Sequence, residues 1–157
     1  MTIEELRTGA RKRLRRPQSR QAHQAVQAGA ILVDTQPEYQ RRADGQVPGA
    51  IVIERNYLEW RLDLTSPSKI PLAASYHITW INSCNEGYSS SLAAALHVLG
   101  LHQATDLVGG LQAWRVASLP VGSPDNGRTC PARPGPRRAG RNRHPGRAET
   151  QTKEALS

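Results

Sequence analysis

Apolar residues recur along this chain in two rhythms. Short runs at residues 30–34, 50–53, 77–83 and 104–108 are apolar almost throughout, as in strands buried on both faces of a sheet. Between them, apolar residues fall three or four apart. Leu92, Leu96 and Leu99 mark the inner stripe of a helix over 89–99 that Gly100 stops. Ser19 and Gly29 bracket a helix over 20–28, and shorter helical turns are predicted over 37–43, 57–62 and 111–117, the last with Trp114 turned inward. Ahead of these, Ile3, Leu6, Ala10 and Leu14 line one side of an N-terminal helix that Pro17 ends, and docking of that side on the domain is expected. Beyond Val121 the periodicity disappears and Pro, Gly and Arg dominate to about residue 148, so a disordered tail is predicted.

Strands alternating with short helices imply an α/β fold, a three-layer sandwich around a mostly parallel sheet of four or five strands with right-handed crossovers. The expected organisation is a basic N-terminal helix over 1–20, one domain over 21–122 and a Pro/Arg/Gly-rich basic tail over 123–157. With no Phe and one Met, the core must be aliphatic, which suits layered packing.

Charge changes the picture only when divided by segment. The net charge is +8, yet residues 1–20 carry +5, residues 123–157 carry +5, and the domain between them carries −2. Basicity therefore belongs to the extensions, where an acidic protein partner is the interaction it would suit. No aromatic residue interleaves the tail arginines, so nucleic-acid binding is not expected. Cys84 and Cys130 stand 46 positions apart without a CxxC or Cys/His spacing, so neither a structural metal nor any other cofactor is expected. No apolar stretch approaches membrane-spanning length, and the expectation is a cytoplasmic protein in a reducing compartment.

Cys84 is the candidate for chemistry. It ends the run His77-Ile78-Thr79-Trp80-Ile81-Asn82-Ser83 and opens Cys84-Asn85-Glu86-Gly87-Tyr88-Ser89-Ser90, just before a helix. Loop N–H groups and the positive end of a helix dipole favour thiolate over thiol at such a place. A cysteine phosphatase would require an arginine closing this loop to grip phosphoryl oxygens, and Ser89 and Ser90 stand where it would be. A thiol hydrolase would require a base, and none of His77, His97 or His102 falls obviously within reach.

Four segments taken together resemble the rhodanese-like (sulfurtransferase) domain, of the single-domain bacterial type. Ile31-Leu32-Val33-Asp34 is similar to its first strand with a terminal acid, and Gly45-Gln46-Val47-Pro48-Gly49-Ala50 resembles its Gly-His-Ile-Pro-Gly-Ala turn. Cys84 to Ser90 resembles the Cys-x-x-Gly-x-Ser-Ser loop, and Gly109-Gly110-Leu111-Gln112-Ala113-Trp114 the closing Gly-Gly-x-x-Ala-Trp. The resemblance implies a Cys84 persulfide, formed from a small donor such as thiosulfate or a persulfide and passed to a thiol acceptor. It makes Asn85, Glu86, Gly87, Tyr88, Ser89 and Ser90 the persulfide-binding loop, with Ser89 also available as helix cap. Asp34 and Arg55 are the expected pocket residues, Arg55 supplying positive charge at the mouth.

Three departures bear on activity. Gln36 stands where an arginine usually follows Asp34, which removes a charge partner; Gln46 replaces a histidine; and Glu86 puts an acid in the loop, where it would repel a dianionic donor. Two readings therefore remain open at sequence level. One is a sulfurtransferase enzyme, and the other is a non-catalytic rhodanese-like module that binds or regulates a partner.

Overall fold

The computed structural model describes residues 1–124 and the backbone of the strand Arg128–Thr129. Its elements are α1 (Ile3–Arg11), α2 (Ser19–Gln27), β1 (Ile31–Asp34), α3 (Glu38–Asp44), β2 (Ile51–Val52), a 3-10 turn (Arg55–Tyr57) running into α4 (Leu58–Leu62), β3 (Trp80–Ser83), α5 (Ser90–Val98), β4 (Thr105–Asp106), α6 (Gly110–Val116) and β5 (Arg128–Thr129). All strand pairs are parallel, and the sheet order is β4-β3-β1-β2-β5. The expected α/β sandwich is therefore present. Arg128–Thr129 pairs with β2 inside the stretch for which no regular structure was predicted, an edge without an apolar residue to leave a sequence pattern. The rest of 125–157, including Cys130, lies outside the described residues.

Alternation along the strands builds two cores. Val33, Ile51 and Trp80 face one layer, where Leu58, Leu62, Leu92, Leu96 and Leu101 close over them. Leu32 and Ile81 face the other, against Ala22 of α2 and Leu111 and Trp114 of α6. Trp114 is buried as expected, its indole N–H donating to the Pro120 carbonyl at 2.8 Å. Leu58, Leu62, Leu96 and Leu101 are wholly excluded from water, worth about 1.5–3 kcal/mol each.

The N-terminal helix docks as expected and departs only in how it is held. α1 forms with a Thr2/Glu5 capping box and packs against α5, but none of its residues is buried, and Ile3 and Leu6 stay 79% and 50% exposed. Its apolar stripe is covered only in its second half, where Ala10 and Leu14 are half-buried. Polar contacts anchor it further, namely arginines of residues 7–16 reaching the loop that carries Cys84.

Parallel strands place their C-terminal ends at one edge, and Asp34, Ser83 and Asp106 all end strands there. Asp34 and Ser83 are paired directly across β1 and β3, so the loops after both strands meet. This is the edge at which open parallel sheets bind ligands.

Candidate active site

Cys84 follows β3 and is half-buried. Its sulfur accepts hydrogen bonds from the N–H of Gly87 at 3.1 Å and of Tyr88 at 2.9 Å. The loop closes on itself because Gly87 has φ +86°. A Cβ there would also lie 2.6 Å from the Gly109 nitrogen, so only glycine fits. Beneath the loop, the start of α6 holds two of its carbonyls: Leu111 N–H donates to Cys84 at 2.8 Å and Gln112 N–H to Asn85 at 3.0 Å. Gly110 permits this approach, since a Cβ on it would collide with the Cys84 carbonyl.

The mouth opposite is a cleft of about 300 Å³ lined by Cys84, Tyr88, Ser89, Arg55, Gln36 and Glu54, among others. Of the residues predicted for the site, Cys84, Tyr88, Ser89 and Arg55 thus reach the cleft. Arg55 forms no ion pair among the described residues, and Glu54 is turned to Arg41 at 3.9 Å. Asn85 does not line the cleft; its side-chain oxygen accepts from Gln112 at 3.0 Å. Glu86 is exposed to solvent and also lies outside the lining. Gly87 contributes through its backbone. Ser90 turns away, donating to Asp106 at 2.8 Å. Ser89 makes no helix-capping hydrogen bond, and its hydroxyl points to the Asn82 carbonyl at 3.5 Å, because its backbone already sits near helical geometry rather than in the extended form a cap requires.

Asp34 was expected in the pocket and is instead one layer behind it. It is only 3% exposed and accepts from the Gln36 backbone N–H at 2.9 Å and its amide nitrogen at 3.2 Å, holding Gln36 at the cleft wall. A guanidinium still stands near Asp34, although it does not bond to it. Arg41 of α3 is buried, donates to the Gln36 carbonyl at 3.2 Å and to Gln46 Oε1 at 3.4 Å, and acts electrostatically on Asp34. Arg41 thus meets the backbone of residue 36 and the side chain of residue 46, while the Gln36 amide is turned to Asp34. Sequence reading passed over Arg41 because a basic residue in a short helix ordinarily faces water.

Burial pushes the Asp34 carboxyl up from 3.8 to about 6, against the lowering effects of Gln36 and Arg41. Between pH 4 and 6 the folded chain keeps a proton that the unfolded chain releases. This group's contribution to stability is full below the ordinary carboxylate range and is lost as pH rises through 6. Asp34→Asn removes the penalty, and Gln36 can rotate its amide to suit the new side chain. Urea unfolding at pH 4 and pH 7 is expected to show the variant gaining on the parent by at most about 3 kcal/mol over that interval.

Four residues of the loop's surroundings were missed altogether: Arg7, Arg11, Arg16 and Asp106. Arg16 forms a two-pronged ion pair with the fully buried Asp106, Nε to Oδ1 at 2.7 Å and Nη2 to Oδ2 at 3.0 Å. Arg11 donates to the Gly87 carbonyl at 3.0 Å, and the Arg7 guanidinium lies 4.7 Å over the Tyr88 ring. An acid closing a strand at Asp106 was the one available signal, the same that marked Asp34. None of His77, His97 or His102 lines the cleft, and His97 is bound to the Ala104 carbonyl at 2.7 Å, near the start of β4. Among the described residues no helix is long and apolar enough to cross a membrane.

A parallel α/β sandwich presenting a cysteine in a loop of inward N–H groups, closed from below by a Gly-Gly helix start, defines a narrow class of domain. The chain belongs to the rhodanese-like domain family, whose model matches residues 18–117. No curated protein matches it in sequence. Solved structures share the fold. A protein of unknown function from Rhodopseudomonas palustris, described as a possible tyrosine phosphatase, superposes with a TM-score of 0.71 at 24% identity, over 78% of this chain and 95% of that one. A rhodanese-related protein from Thermoplasma volcanium gives 0.52 at 21% identity, over 69% and 97%. A thiosulfate sulfurtransferase from Pseudomonas aeruginosa gives 0.57 at 15% identity, over 73% of this chain and 21% of the other, larger one.

Proposed function

We propose that the chain is a sulfurtransferase that carries a sulfane sulfur on Cys84. The observation that supports it most is the pair of N–H groups, from Gly87 and Tyr88, aimed at the Cys84 sulfur in a half-buried site open to a cleft. Such donors stabilise negative charge on sulfur without reorganising. The Cys84 thiolate attacks the outer sulfur of a donor such as thiosulfate or a persulfide. A new S–S bond forms at Cys84 while the donor's own S–S bond breaks, and sulfite or a thiolate leaves with the electron pair. An acceptor thiolate then attacks the outer sulfur, takes it as its own persulfide and releases the Cys84 thiolate. Backbone N–H groups of Asn85, Glu86 and Ser89, which make no hydrogen bond within the described chain, are available to the outer sulfur. Arg55 at the cleft suits an anionic donor.

Phosphate ester hydrolysis is poorly served by the same site. Apart from Arg55, which lines the cleft from a separate turn, the arginines that hydrogen-bond the loop, Arg11 and Arg16, hold the Gly87 carbonyl, which in a trans peptide points opposite to the N–H that meets the sulfur. They stand behind the loop and not over the cleft. The non-catalytic alternative drew on the missing arginine at residue 36 and the acid at 86; Arg41 answers the first, and solvent exposure weakens the second by screening.

Turnover with thiosulfate and with a small-molecule persulfide, using a low-molecular-weight thiol as acceptor, tests the proposal. Release of product with neither donor would refute it. Reversing the loop charge by Glu86→Lys is expected to raise kcat/KM for thiosulfate by roughly three- to tenfold at low ionic strength, and by little at 1 M salt. Its effect on a neutral persulfide donor should be small.

A further inference from the structure

We propose that Arg11 and Arg16, which lie ahead of the family-matched residues 18–117, are positioning residues that strengthen the hydrogen bond from Tyr88 N–H to the Cys84 sulfur. The inference rests on the sulfur chemistry proposed above for its purpose, but its geometry stands apart from it. The Gly87 carbonyl and the Tyr88 N–H are the two ends of one peptide group. Arg11 Nη2 donates to that carbonyl at 3.0 Å and Arg16 Nη2 at 3.4 Å, while the N–H at the other end donates to sulfur at 2.9 Å. Positive charge at the oxygen draws electron density along the amide and makes its N–H a better donor, the cooperative effect seen in hydrogen-bond chains. The same contacts fix the peptide's orientation, so the N–H cannot rotate away.

The guanidiniums are themselves held. Asp106, wholly buried at the end of β4, binds Arg16 by two prongs and accepts from Ser90 Oγ, which in turn accepts from Arg11 Nε at 3.2 Å. The strap is also pinned to this end of the sheet by its backbone: Val108 N–H donates to the Pro17 carbonyl and Thr105 Oγ1 to the Arg15 carbonyl, both at 3.1 Å. An unbroken path therefore runs from the sheet through Asp106, Ser90 and Arg11 to the sulfur's donor.

Charge around the sulfur gives Arg11 the larger share. Arg16 is neutralised by Asp106 and Arg7 by Glu4, whereas Arg11 forms hydrogen bonds only to a hydroxyl and a carbonyl and feels Glu4, already bound to Arg7, through space. The other ionisable groups about the loop are Glu86 on its exposed side, Tyr88 under Arg7, and Glu54 and Arg55 across the cleft. Behind the loop Arg11 is thus a cation without an ion pair among the described residues, and it favours an anionic sulfur in front of it.

The test uses the full chain and reads Cys84 alone, by peptide mapping after iodoacetamide, at pH values from 6 to 10. Arg16→Gln would strand the buried Asp106, so Arg11 is the informative position. In Arg11→Gln, Cys84 is expected to alkylate roughly three- to tenfold more slowly at pH 7, with the two rates converging at pH 10 where the thiol ionises unaided. Arg11→Lys, which keeps charge and one donor, should recover most of the difference. A structural role alone would lower the unfolding midpoint and leave these profiles unchanged. Superimposable pH profiles for the parent and a folded Arg11→Gln overturn the proposal. If that variant does not fold, Arg11→Lys carries the decision: its Tyr88 amide proton, followed by NMR, should stay near the parent's shift, and movement to that of an unbonded amide would overturn it. Because alkylation needs no sulfur donor, failure of sulfur loading with a normal Arg11 effect refutes the proposed function alone.

Discussion

Cys84→Ser is expected to lose sulfur transfer by at least about a thousandfold while remaining folded. A serine hydroxyl is scarcely ionised at neutral pH and is a poor nucleophile toward sulfane sulfur, so the first bond does not form. The fold should tolerate the exchange, because the serine oxygen can accept from the same Gly87 and Tyr88 N–H groups that meet the thiol at 3.1 and 2.9 Å. Steady-state turnover and the urea midpoint measured on one preparation separate the two effects. Cys130 provides an internal control, since turnover carried by it would survive Cys84→Ser and vanish in Cys130→Ser.

The second large effect is expected at a residue that never touches the cleft. Gly110 has φ +57°, and a Cβ on it would collide with the Cys84 carbonyl and approach the Gly87 nitrogen at 2.8 Å. Gly110→Ala therefore meets left-handed strain and backbone overlap together. The cost is about 2–4 kcal/mol, with overpacking the larger part because no flexible side chain can yield. Relief requires the Cys84 carbonyl to leave Leu111 N–H, which shifts the sulfur relative to its donors. A displacement of the order of 1 Å at the reacting atom costs about a hundredfold in turnover. Gly29→Ala is the comparison: φ there is +111°, and nothing lies within 4 Å of the added carbon. It should lower stability by about 1–2 kcal/mol through backbone strain and leave turnover at the parental level.

What could be read from the sequence follows from where the signals reside. The four strands with a strong apolar run and the helix over 90–98 were legible because parallel sheets bury both faces and leave nearly continuous hydrophobic patterns. The cysteine loop and the glycine pair were legible because their geometry admits few residues: Gly87 and Gly110 are dictated by backbone packing, and such positions keep a local signature. Polar burial left none. Arg41 donates to the Gln36 backbone carbonyl and to the Gln46 side chain, and no spacing rule relates the three. The N-terminal helix and its packing on the domain were legible, but its polar anchor was not. Its apolar stripe is exposed at Ile3 and Leu6 and half-buried at Ala10 and Leu14, while Arg11 and Arg16, which resembled ordinary surface charge, reach the loop from 71 to 76 positions away. β5, Arg128–Thr129, has no apolar residue to set it apart from the basic stretch around it.

The roles of the two strand-ending acids show how much depends on distant partners. Asp34 and Asp106 both close parallel strands at the same edge and both are buried. Asp34 meets an amide at hydrogen-bonding distance, and its carboxyl is pushed up to about 6 by burial; Asp106 meets a bidentate guanidinium. One acid shapes the cleft wall, and the other anchors the strap behind the loop.

Whether Cys84 accepts and holds a sulfane sulfur is decided most directly by mass. The protein is incubated with excess thiosulfate, or separately with a persulfide donor, freed of donor, and examined intact and by peptide mapping. The account predicts a gain of one sulfur on the peptide containing Cys84, removed on adding a thiol acceptor and absent in Cys84→Ser. An unmodified Cys84 peptide after both donors, from a folded protein whose thiol still alkylates, would contradict it.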